Sequence, residues 1–379
     1  MRVLICIPCL LTGGTEIQTL SMVRALIGTG HQTTTVCYFE YDEEMVRQYQ
    51  EAGCHVLCLS RDGKRPLGIW NTIRFLYSGL HRTLQETKPD VAHVQYMAPG
   101  AIPIVILRLL GLKTILATAH TMADIYPSLR LLHFLQRHLL TAFTCITERA
   151  EQSFFGSSQL YDLQTALQTK GNHLTIHNCL PGYIQVINEP RIFDAPITIG
   201  VVSRLEAIKG MDMVVPAFCS IHANHPELRL LVVGDGSLRP AMEQAVTERG
   251  LTEHVKFVGR QPQDALQAFY DRIDILLIPS RSEGFGLTAL EGMARGCVVI
   301  AANTGGLPEV VLDGKTGLLF SCGNVEAIAD KVLQLVSTPA SMQSMSCSAA
   351  IRARQFSVSS YNALIADLYE KIQLNRQRK

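Results

Sequence analysis

The sequence has almost no excess of charge of either sign. Its 379 residues contain 34 Lys and Arg against 33 Asp and Glu, a net charge of +1. A nucleic-acid-binding protein usually carries a basic excess, so this balance argues against nucleic acid as a partner. The sequence also lacks an uninterrupted apolar run of the ~20 residues needed to cross a bilayer. The longest candidates, 102–112 and 129–142, are interrupted by arginines and histidines, so no membrane-spanning helix is predicted.

Disulfide bonds are not predicted, although the chain has eleven cysteines. An odd number scattered over a long chain is not the framework of a small secreted protein, and it indicates a reducing cytoplasm. Cys6 and Cys9 form a C-x-x-C pair. A redox pair normally begins the helix after a strand, whereas Cys6 lies inside the first predicted strand and Pro8 interrupts it. Cys54 and Cys58 could supply two further zinc ligands, but nothing requires a metal, so structural thiols are the favoured interpretation.

The composition and length predict a folded protein of two domains. Hydrophobic residues make up 47% and charged residues 18% of the chain, which excludes disorder and coiled coils. At roughly 150 residues per domain, the length favours two domains. Short apolar segments alternate with segments of helical periodicity in both halves. This pattern is typical of α/β domains in which helices cover both faces of a parallel sheet.

The predicted elements divide into two similar sets. In the first half, strands are predicted at 3–8, 33–39, 54–59, 91–95 and 114–119, and helices at 17–26 and 70–86. In the second half, strands are predicted at 197–202, 229–233, 255–258, 273–278 and 298–301, and helices at 213–222, 238–249, 265–270, 287–295 and 325–336. We therefore predict two doubly wound, Rossmann-like domains, residues 1–188 and 189–358, with a linker at 186–196. Residues 359–379, a last helix and a basic tail, are predicted to pack back on the first domain.

The most distinctive motif is the segment 282–291, which follows a predicted strand and opens a helix. Gly284 and Gly286 allow the backbone to approach a ligand, and free amides at the helix N-terminus favour an anion. Glu283 and Glu291 flank that anion site, and an acidic side chain beside a phosphate usually binds sugar hydroxyls. The alternative is an ordinary helix start in which a glutamate interacts with the helix dipole. The whole segment favours a diphosphate site with two sets of sugar hydroxyls.

Arg204 and Lys209 follow the first predicted strand of the second half. A forked guanidinium and a point charge on one loop suit the oxygens of a diphosphate. Taken alone, such residues are usually solvated surface charges. Their place after a strand, at the edge where ligands of these sheets bind, favours the binding interpretation.

Three glycine-bearing turns also join strands to helices. Gly234 and Gly236 form a G-x-G, but Arg239 stands where the dinucleotide fingerprint has its third glycine, so a tight turn near the ligand is predicted. The turn 305–309 is predicted to begin a helix with Pro308 near its first position. In the first half, the paired glycines at 13 and 14 allow a ligand to contact the backbone.

His120 ends the predicted strand 114–119 of the first half. At the carboxyl end of a parallel strand it would point toward the ligand-binding edge of the sheet. A lone histidine at a strand end is often structural, and both interpretations stay open.

These motifs, in this order, resemble those of the retaining glycosyltransferases of family four, which have the GT-B fold. The resemblance rests on Gly13-Gly14-x-Glu16, His120, Arg204…Lys209-Gly210, Gly234-x-Gly236, and Glu283 and Glu291 separated by seven residues and followed by Gly305-Gly306. It implies two domains facing across a cleft, with a nucleotide-sugar donor bound by the second and an acceptor by the first. The sequence departs from the family pattern at Cys179, where a glycine usually follows the asparagine.

The resemblance also implies a role for each site residue. Arg204 and Lys209 would bind the donor diphosphate. Glu291 would hold the ribose hydroxyls and Glu283 those of the transferred sugar, while His120 would contact the sugar near its reacting carbon. The side chains expected to act in catalysis are thus Glu283, His120, Arg204 and Lys209. Other residues would line the donor through their backbone: Gly14, Gly234, Gly284, Phe285, Gly286, Leu287 and Thr288.

The expected chemistry needs neither a metal nor a cofactor. The main requirement is to stabilise the charge that develops on the departing nucleoside diphosphate, which cationic side chains and helix amides can do. The metal-binding Asp-x-Asp of the other transferase fold is absent from the sequence. The nucleotide sugar is itself a substrate. In this family the departing phosphate is thought to deprotonate the acceptor on the same face of the sugar, so we assign no enzymic nucleophile.

Two basic segments of the first half bear on the acceptor. Residues 61–88 contain six Lys and Arg against two Asp and Glu, a surplus of four. Residues 129–140 place Arg130, His133 and Arg137 beside leucines, as an interfacial helix does. The alternative is a solvated helix face. By resemblance, the functional interpretation is peripheral contact with the inner face of the cytoplasmic membrane, where a lipid-linked acceptor would lie.

The resemblance thus implies a retaining glycosyltransferase that moves a sugar from a UDP- or GDP-sugar to a glycan or lipid-linked glycan in polysaccharide or glycoconjugate biosynthesis. One alternative is a non-catalytic protein of the same fold that only binds nucleotide sugars. Another is an oxidoreductase with two Rossmann domains, which the missing third glycine disfavours.

Overall fold

Two parallel β-sheets organise the chain. The computed structural model describes residues 1–97 and 100–377. It divides into two units, and each unit is built on one sheet. Unit 1 contains Met1–Cys179 and Val358–Lys379, and unit 2 contains Leu180–Ser357.

Unit 1 has a seven-stranded sheet in the order β3-β2-β1-β4-β5-β6-β7, with all pairings parallel. Its strands are β1 (Arg2–Ile7), β2 (Gln32–Cys37), β3 (His55–Cys58), β4 (Val91–Tyr96), β5 (Ile115–Ala119), β6 (Ala142–Cys145) and β7 (Asn172–Thr175). The helices between them are α1 (Gly14–Gly28), α2 (Glu43–Glu51), α3 (Ile69–Thr87), α4 (Ala101–Leu109), α5 (Leu129–His138) and α6 (Glu148–Phe155).

Unit 2 has a six-stranded parallel sheet in the order β10-β9-β8-β11-β12-β13. Its strands are β8 (Thr198–Val202), β9 (Arg229–Val233), β10 (Val255–Gly259), β11 (Ile275–Ile278), β12 (Val298–Ala302) and β13 (Gly317–Phe320). Its helices are α7 (Val214–Asn224), α8 (Arg239–Glu248), α9 (Leu266–Tyr270), α10 (Leu287–Ala294), α11 (Leu307–Val310), α12 (Val325–Val336) and α13 (Pro339–Ala353).

The central strands are apolar because helices cover both faces of each sheet. In β1, every residue from Val3 to Ile7 is buried, and β12 is buried throughout its length. Their continuous apolar runs therefore indicate buried parallel strands rather than the alternating pattern of a half-exposed sheet. The predicted α/β architecture of two doubly wound sheets is confirmed.

The last helix, α14 (Val358–Gln377), belongs to unit 1. Its Tyr369 hydroxyl lies 2.8 Å from Nδ1 of the buried His93 in β4. Tyr361, Ile365 and Leu368 of the same helix are buried in the core of unit 1. A helix far from unit 1 in sequence therefore completes its hydrophobic core.

The division between the units differs from the predicted boundary at 188. The structure places it after Cys179, because the following residues pack within unit 2. The amide of Ile187 donates to the carbonyl of Ala294, and Arg191 donates to the carbonyls of Tyr270 and Arg295. The segment 186–196, predicted as a linker, thus belongs to unit 2 in the structure, because a polar, proline-containing segment can still be held by hydrogen bonds to backbone carbonyls.

Several elements lack a clear sequence signal. Helix α2 is short and mostly polar, and it depends on Asp42, whose side chain caps the amide of Glu44. Helix α13 is rich in small and polar residues and has little periodicity. Strands β6 and β7 have four residues each, too few to show a period.

Candidate functional site

The switch point of the unit 2 sheet lies between β8 and β11. These strands are neighbours in the sheet, although β9 and β10 separate them in sequence. The connections from two such strands leave in opposite directions, which opens a crevice beyond their carboxyl ends. The loop after β8 carries Arg204 and Lys209, and the loop after β11 carries Glu283. The predicted site residues of unit 2 therefore meet at the edge where ligands of such sheets bind.

An ion pair joins the two loops. Lys209 Nζ lies 2.7 Å from Glu283 Oε2, although 74 residues separate them in sequence. About four-fifths of each side chain is buried, so solvent screens this pair less than a surface pair. The hydroxyl of Ser280 also donates to Glu283 Oε2, at 3.3 Å. Within the described residues, no hydrogen bond goes to Glu283 Oε1, which leaves that oxygen for a ligand.

A second ion pair fixes the same two loops from outside. Arg281 makes a bidentate contact with Asp212, with N–O distances of 2.6 and 2.7 Å. Its guanidinium also donates to the carbonyl of Ala207, and its amide donates to the carbonyl of Ile208. The planar guanidinium suits such a clamp, since it can bond a carboxylate and a carbonyl together. The loops that carry Lys209 and Glu283 are thus held in a fixed position relative to each other.

The turn at Gly305 packs against the backbone of the Glu283 loop. The amide of Gly306 donates to the carbonyl of Glu283 at 3.2 Å. Gly305 has φ +52°, and a Cβ there would lie 1.7 Å from that same carbonyl oxygen. The glycine is therefore needed for chain-to-chain contact rather than for ligand contact. The predicted helix after this turn is α11, with a proline in its first turn.

We expect Gly305→Ala to lower the free energy of unfolding by about 2 kcal/mol or more, since it adds a steric clash to the strain of a positive φ. The same change should weaken donor binding because the Glu283 carbonyl must move. Gly314→Ala is the matched control, since Gly314 has φ +70° but no heavy atom lies within 4 Å of the place that a methyl group would take. Urea denaturation and donor titration of both variants provide the measurement. Equal losses in the two variants would contradict this role of Gly305.

Glu291 lies deep in α10 and is only 5% exposed. The hydroxyl of Tyr183 donates to Oε1 at 2.8 Å, and the hydroxyl of Tyr270 donates to Oε2 at 2.6 Å. Burial raises the pKa of the Glu291 carboxyl to about 7, because removal from water disfavours the charged form, and the two tyrosines partly oppose that shift. The carboxylate is held in a fixed orientation, and each of its oxygens keeps one lone pair for a further donor.

The turn after β9 approaches the Arg204 loop through its backbone. The amide of Leu205 donates to the carbonyl of Asp235, and the carboxylate of Glu206 accepts from both the amide and the hydroxyl of Ser237. A Cβ at Gly234 would lie 1.8 Å from the carbonyl oxygen of Ser203. The tight turn predicted for this segment is therefore present, and its first glycine is required by the neighbouring loop.

Arg204 and Arg239 differ in their surroundings. Arg204 is exposed, and within the described residues its guanidinium makes no hydrogen bond to another side chain. Arg239 replaces the third glycine of the fingerprint and pairs with Asp235 and Glu243 at 2.8 Å each. Arg204 thus remains available to an anion, whereas Arg239 has carboxylate partners on its own turn and helix.

Helix α10 begins directly after the Glu283 loop. Gly286 precedes it with φ +105°, and the first helical bond runs from the amide of Leu290 to the carbonyl of Gly286. The amides of Leu287 and Thr288 precede that bond and have no acceptor in the helix, as at every helix start. The side chain of Phe285 is buried against Phe356, so only its backbone can take part in the predicted site.

The predicted residues of unit 1 lie at the carboxyl ends of its strands. Gly14 is the first residue of α1, after Gly13 in extended conformation. His120 follows β5, is 5% exposed, and lies with Nε2 2.7 Å from Gln95 Oε1. Burial lowers the pKa of His120 to about 4. Its ring is therefore neutral near pH 7 and hydrogen-bonded within unit 1, and its predicted contact with a ligand at this edge of the sheet stays a prediction.

The cysteines of the C-x-x-C pair are buried thiols. All eleven cysteines of the chain are free. Burial raises the pKa of Cys6 and of Cys9 to about 12 each, and the nearby Glu16 adds to the shift at Cys9. A redox pair needs an accessible thiolate, so the structural interpretation is the one that the geometry favours.

The basic segments of unit 1 expose apolar side chains beside their arginines. Leu67, two residues before α3, is 87% exposed, and Trp70 in the first turn of α3 is 80% exposed, with Arg74 one turn further along. In α5, Phe134 is 56% exposed. His133 of that helix is turned inward instead, and its Nε2 lies 2.6 Å from the carbonyl oxygen of Phe154. Within the described residues, no helix has both the length and the apolar character to cross a bilayer.

Sequence reasoning did not find the groups that orient the site. Tyr183 lies 108 residues before Glu291, and Asp212 lies 69 residues before Arg281. Tyr270 ends a helix of five residues that the sequence marks only as apolar. None of these residues stands in a motif, so no local signal identifies them.

Comparisons with known proteins agree with this arrangement. Residues 185–352 match the family model described as "Glycosyl transferases group 1", and residues 13–150 match that of the "Glycosyl transferase 4-like domain". The first match contains the loops of Arg204, Lys209 and Glu283, and the second contains Gly14 and His120.

Several curated relatives match part of the chain. An uncharacterized glycosyltransferase of Methanocaldococcus jannaschii is 38% identical over 128 residues, which are 34% of this chain and 35% of the relative. A GDP-mannose-dependent alpha-(1-6)-phosphatidylinositol monomannoside mannosyltransferase of Mycolicibacterium smegmatis is 34% identical over 153 residues, 38% of this chain and 40% of the relative. A D-inositol 3-phosphate glycosyltransferase of Rhodococcus jostii is 37% identical over 163 residues, 41% of this chain and 36% of the relative. These matches span between about a third and a half of the relatives' length.

Solved structures match almost the whole chain. HepE of Anabaena in complex with UDP and glucose has a TM-score of 0.76 at 18% identity, over 98% of this chain and 99% of that one. A sucrose-phosphate synthase of Thermosynechococcus elongatus has a TM-score of 0.77 at 18% identity, over 99% and 100%. At this identity the likeness concerns the fold, and the predicted GT-B fold is confirmed.

Proposed function

We propose that this chain, which belongs to the group 1 glycosyltransferases of family four, transfers a sugar from a nucleotide-sugar donor to a glycan or lipid-linked glycan acceptor. The observation that carries the proposal is the ion pair of Lys209 and Glu283 at the switch point of the unit 2 sheet. It places a cation and a carboxylate side by side, as a ligand with both a diphosphate and sugar hydroxyls requires. Relatives named as glycosyltransferases favour this function over a protein that only binds nucleotide sugars.

The cations would stabilise the leaving group. Cleavage of the bond between sugar and diphosphate leaves negative charge on the terminal phosphate, and positive groups already in place lower the barrier. Lys209 is held by its ion pair, Arg204 is exposed, and the first amides of α10 add the positive end of a helix dipole. With these groups assigned to the charge, we propose a reaction without metal or cofactor.

The carboxylates would bind hydroxyls. Glu283 Oε1 has no hydrogen bond from a described residue and would accept from the transferred sugar. Glu291 would accept from the ribose through the lone pairs that Tyr183 and Tyr270 leave. The donor base is not specified by these contacts, so both UDP- and GDP-sugars remain substrates to test.

We propose retention of configuration at the sugar carbon. The departing phosphate would deprotonate the acceptor hydroxyl on the same face, which requires no enzymic nucleophile. Arg204 and Lys209, which hold that phosphate, would then act in both the departure and the proton transfer. His120 would contact the sugar as a neutral group, consistent with its lowered pKa.

A donor panel tests the function. Purified protein would be titrated with UDP-, GDP- and ADP-sugars, and transfer or hydrolysis of the labelled sugar would then be measured for each donor that binds. We expect turnover with at least one donor, unaffected by EDTA, and a product whose anomeric configuration equals that of the donor. Binding without turnover across the panel would support the non-catalytic alternative. Binding of none of the donors, with an NAD(H)-induced thermal shift instead, would support the oxidoreductase.

We further propose that unit 1 contacts the anionic inner face of the cytoplasmic membrane. The contact surface, called here the Trp70 surface, consists of Leu67, Ile69, Trp70 and the arginines 61 and 74. Its apolar side chains are more than half exposed, and the arginines flank them. An aromatic ring with neighbouring cations fits the interface of a bilayer with acidic lipids. Such a contact would bring the enzyme to a lipid-linked acceptor.

Trp70 is the single tryptophan of the chain, so its fluorescence reports on this surface alone. We expect its emission to shift to shorter wavelength on addition of phosphatidylglycerol vesicles, because the ring leaves water, and not with phosphatidylcholine vesicles. Arg74→Glu should weaken binding to the acidic vesicles at least fivefold, since each basic residue near the surface contributes about 1 kcal/mol. Arg249→Glu, an exposed arginine of unit 2, serves as the control. An unchanged emission spectrum with acidic vesicles would contradict the contact.

A further inference from the structure

Unit 1 contains a small cavity of mixed polar and apolar lining, and His120 is one of the residues that line it. Its volume is about 20 Å³, and side chains of β4, β5, β6, α1 and α14 line it. A cavity of about this size holds one water molecule when it offers two to four polar partners. The described residues that line it include no Asp, Glu, Lys or Arg, so a charged ligand is not expected.

Three buried polar atoms of the cavity residues have no hydrogen-bond partner within the described residues. They are Gln18 Oε1, Gln95 Nε2 and His120 Nδ1. The three side chains are 3%, 2% and 5% exposed. A buried polar group without a partner is destabilising, so three in one small cavity point to a shared ligand.

The chemistry of the three atoms matches a single water. His120 Nε2 lies 2.7 Å from Gln95 Oε1, which can only accept, so Nε2 carries the proton and donates. His120 Nδ1 is then an acceptor, as is Gln18 Oε1, while Gln95 Nε2 is a donor. Two acceptors and one donor are what a water needs in order to donate twice and accept once.

We propose that one ordered water occupies this cavity, and that Gln95 is a positioning residue that holds His120 as its neutral Nε2–H tautomer. The Gln95 side chain accepts a hydrogen bond from His120 Nε2 at its Oε1 and donates one to the water from its own Nε2. Gln18 anchors the other side of the water, and its own Nε2 donates to Cys179 Sγ at 3.6 Å. Both ring nitrogens of His120 are thereby engaged inside unit 1.

The surroundings of the ring support this state. The titratable groups that share the cavity are His93 and Tyr361. His93 is neutral as well, since burial lowers its pKa to about 3, and its ring contacts the hydroxyls of Tyr369 and Thr118. Burial raises the pKa of Tyr361 above its ordinary value, which keeps this group neutral too. None of the described residues that line the cavity therefore supplies a negative charge that would favour a protonated His120.

The consequence for transfer rests on the proposed function. If His120 contacts the sugar near its reacting carbon, a neutral ring with both nitrogens engaged cannot act as a general acid or base there. It would instead place the carbon atoms of the neutral ring against the sugar, beside the positive charge that develops there. A protonated ring would repel that charge, so the Gln95 contact keeps His120 in the state that transfer tolerates.

Nitrogen-15 spectra of the histidine side chains test the proposal on the full chain without donor, with His120→Gln used to assign the signal. We expect the Nε2–H tautomer, uncharged down to pH 5. Gln95→Glu should raise the midpoint of the His120 titration from about 4 to above 6, because a carboxylate favours the charged ring. Gln95→Leu should give a mixture of tautomers, whereas Gln85→Leu, an exposed glutamine of α3, should change nothing. An Nδ1–H tautomer, or a midpoint near 6.5 in the unmodified protein, would overturn the proposal.

Two further readouts separate this proposal from the proposed function. A crystal structure should show a density peak within hydrogen-bond distance of all three atoms, and an empty or apolar-filled cavity would overturn the water site. In Gln95→Glu, kcat should fall about tenfold as pH drops through the new midpoint of the His120 titration. The unmodified protein should show no such fall in kcat over the same pH range. Absence of turnover with every donor would refute the proposed transferase function. The nitrogen-15 spectra and the electron density would then still test the water site and the state of His120. If Gln95→Leu fails to fold, Gln95→Glu and the unmodified protein still decide the outcome.

Discussion

Replacing Lys209 with alanine is expected to lower kcat for sugar transfer by about 10²- to 10³-fold, the usual loss when one preorganised donor to a developing anion is removed. The Nζ of Lys209 is a partly buried cation at the switch point of the unit 2 sheet, 2.7 Å from Glu283. Without it, the Glu283 carboxylate would keep the Ser280 hydroxyl but have no cationic partner, and it would repel the diphosphate. Steady-state kinetics with the donor found in the panel measure the loss.

The matched control for this variant is Lys256→Ala, an exposed lysine on strand β10 of the same unit. It should leave kcat within twofold of the unmodified value. A double-mutant cycle with Glu283→Ala then tests whether the pair acts together. We expect the double variant to lose far less than the product of the two single losses, since each single change disables the same unit. A Lys209→Ala variant within threefold of the unmodified kcat would contradict the assignment.

Replacing Glu291 with glutamine is expected to stabilise the protein above neutral pH and to weaken donor binding. The ordinary pKa of this carboxyl is 4.5, and in the folded state it is about 7. The folded protein therefore holds a proton that the unfolded chain has lost between these values, so the free energy of unfolding falls as pH rises from about 4.5 to 7 and is level above that. The full loss is about 3 kcal/mol at 1.36 kcal/mol per pH unit.

Glutamine has nearly the same shape and never carries the charge. We therefore expect Glu291→Gln to raise the free energy of unfolding by up to about 3 kcal/mol at pH 8 and by little at pH 5. Donor affinity should fall about 10- to 100-fold, the effect of replacing a charged hydrogen-bond acceptor by a neutral one. Urea denaturation at both pH values and donor titration at pH 8 give the result.

Glu248→Gln is the control for the charge change, because Glu248 is exposed on α8. It should shift stability by less than about 0.5 kcal/mol at either pH, as surface substitutions usually do. An unchanged donor affinity in Glu291→Gln would show that this carboxylate serves only the packing of Tyr183 and Tyr270. Equal stability of the variant and the unmodified protein at pH 8 would contradict the raised pKa.

The sequence was most informative where one residue type has a local consequence. Continuous apolar runs such as those of β1 and β12 identify buried parallel strands, because both faces of these strands are covered. Glycines such as Gly305 mark the turns, because a side chain there would meet the neighbouring loop. The loops of Lys209 and Glu283 could therefore be placed at the sheet edge from sequence alone.

What the sequence did not predict depends on contacts between distant residues. The contact between Lys209 and Glu283 needs the order of strands in the folded sheet, since 74 residues separate them. The orientation of Glu291 depends on Tyr183, for which no sequence motif gives a signal. The inward direction of the His120 ring follows from Gln95 on the adjacent strand. The position of His120 at the end of a strand indicates where its side chain lies, but not which residue orients the ring.

The return of α14 to unit 1 also has a consequence for synthesis on the ribosome. Unit 2 is continuous in sequence, whereas unit 1 receives helix α14, with Tyr361, Leu368 and Tyr369, only after all of unit 2 has been synthesised. Unit 2 can therefore fold before unit 1 is complete, and the apolar core of unit 1 stays partly uncovered until α14 is available. A chain released before residue 358 would therefore contain all of unit 2 but would leave unit 1 without α14 and with part of its apolar core uncovered.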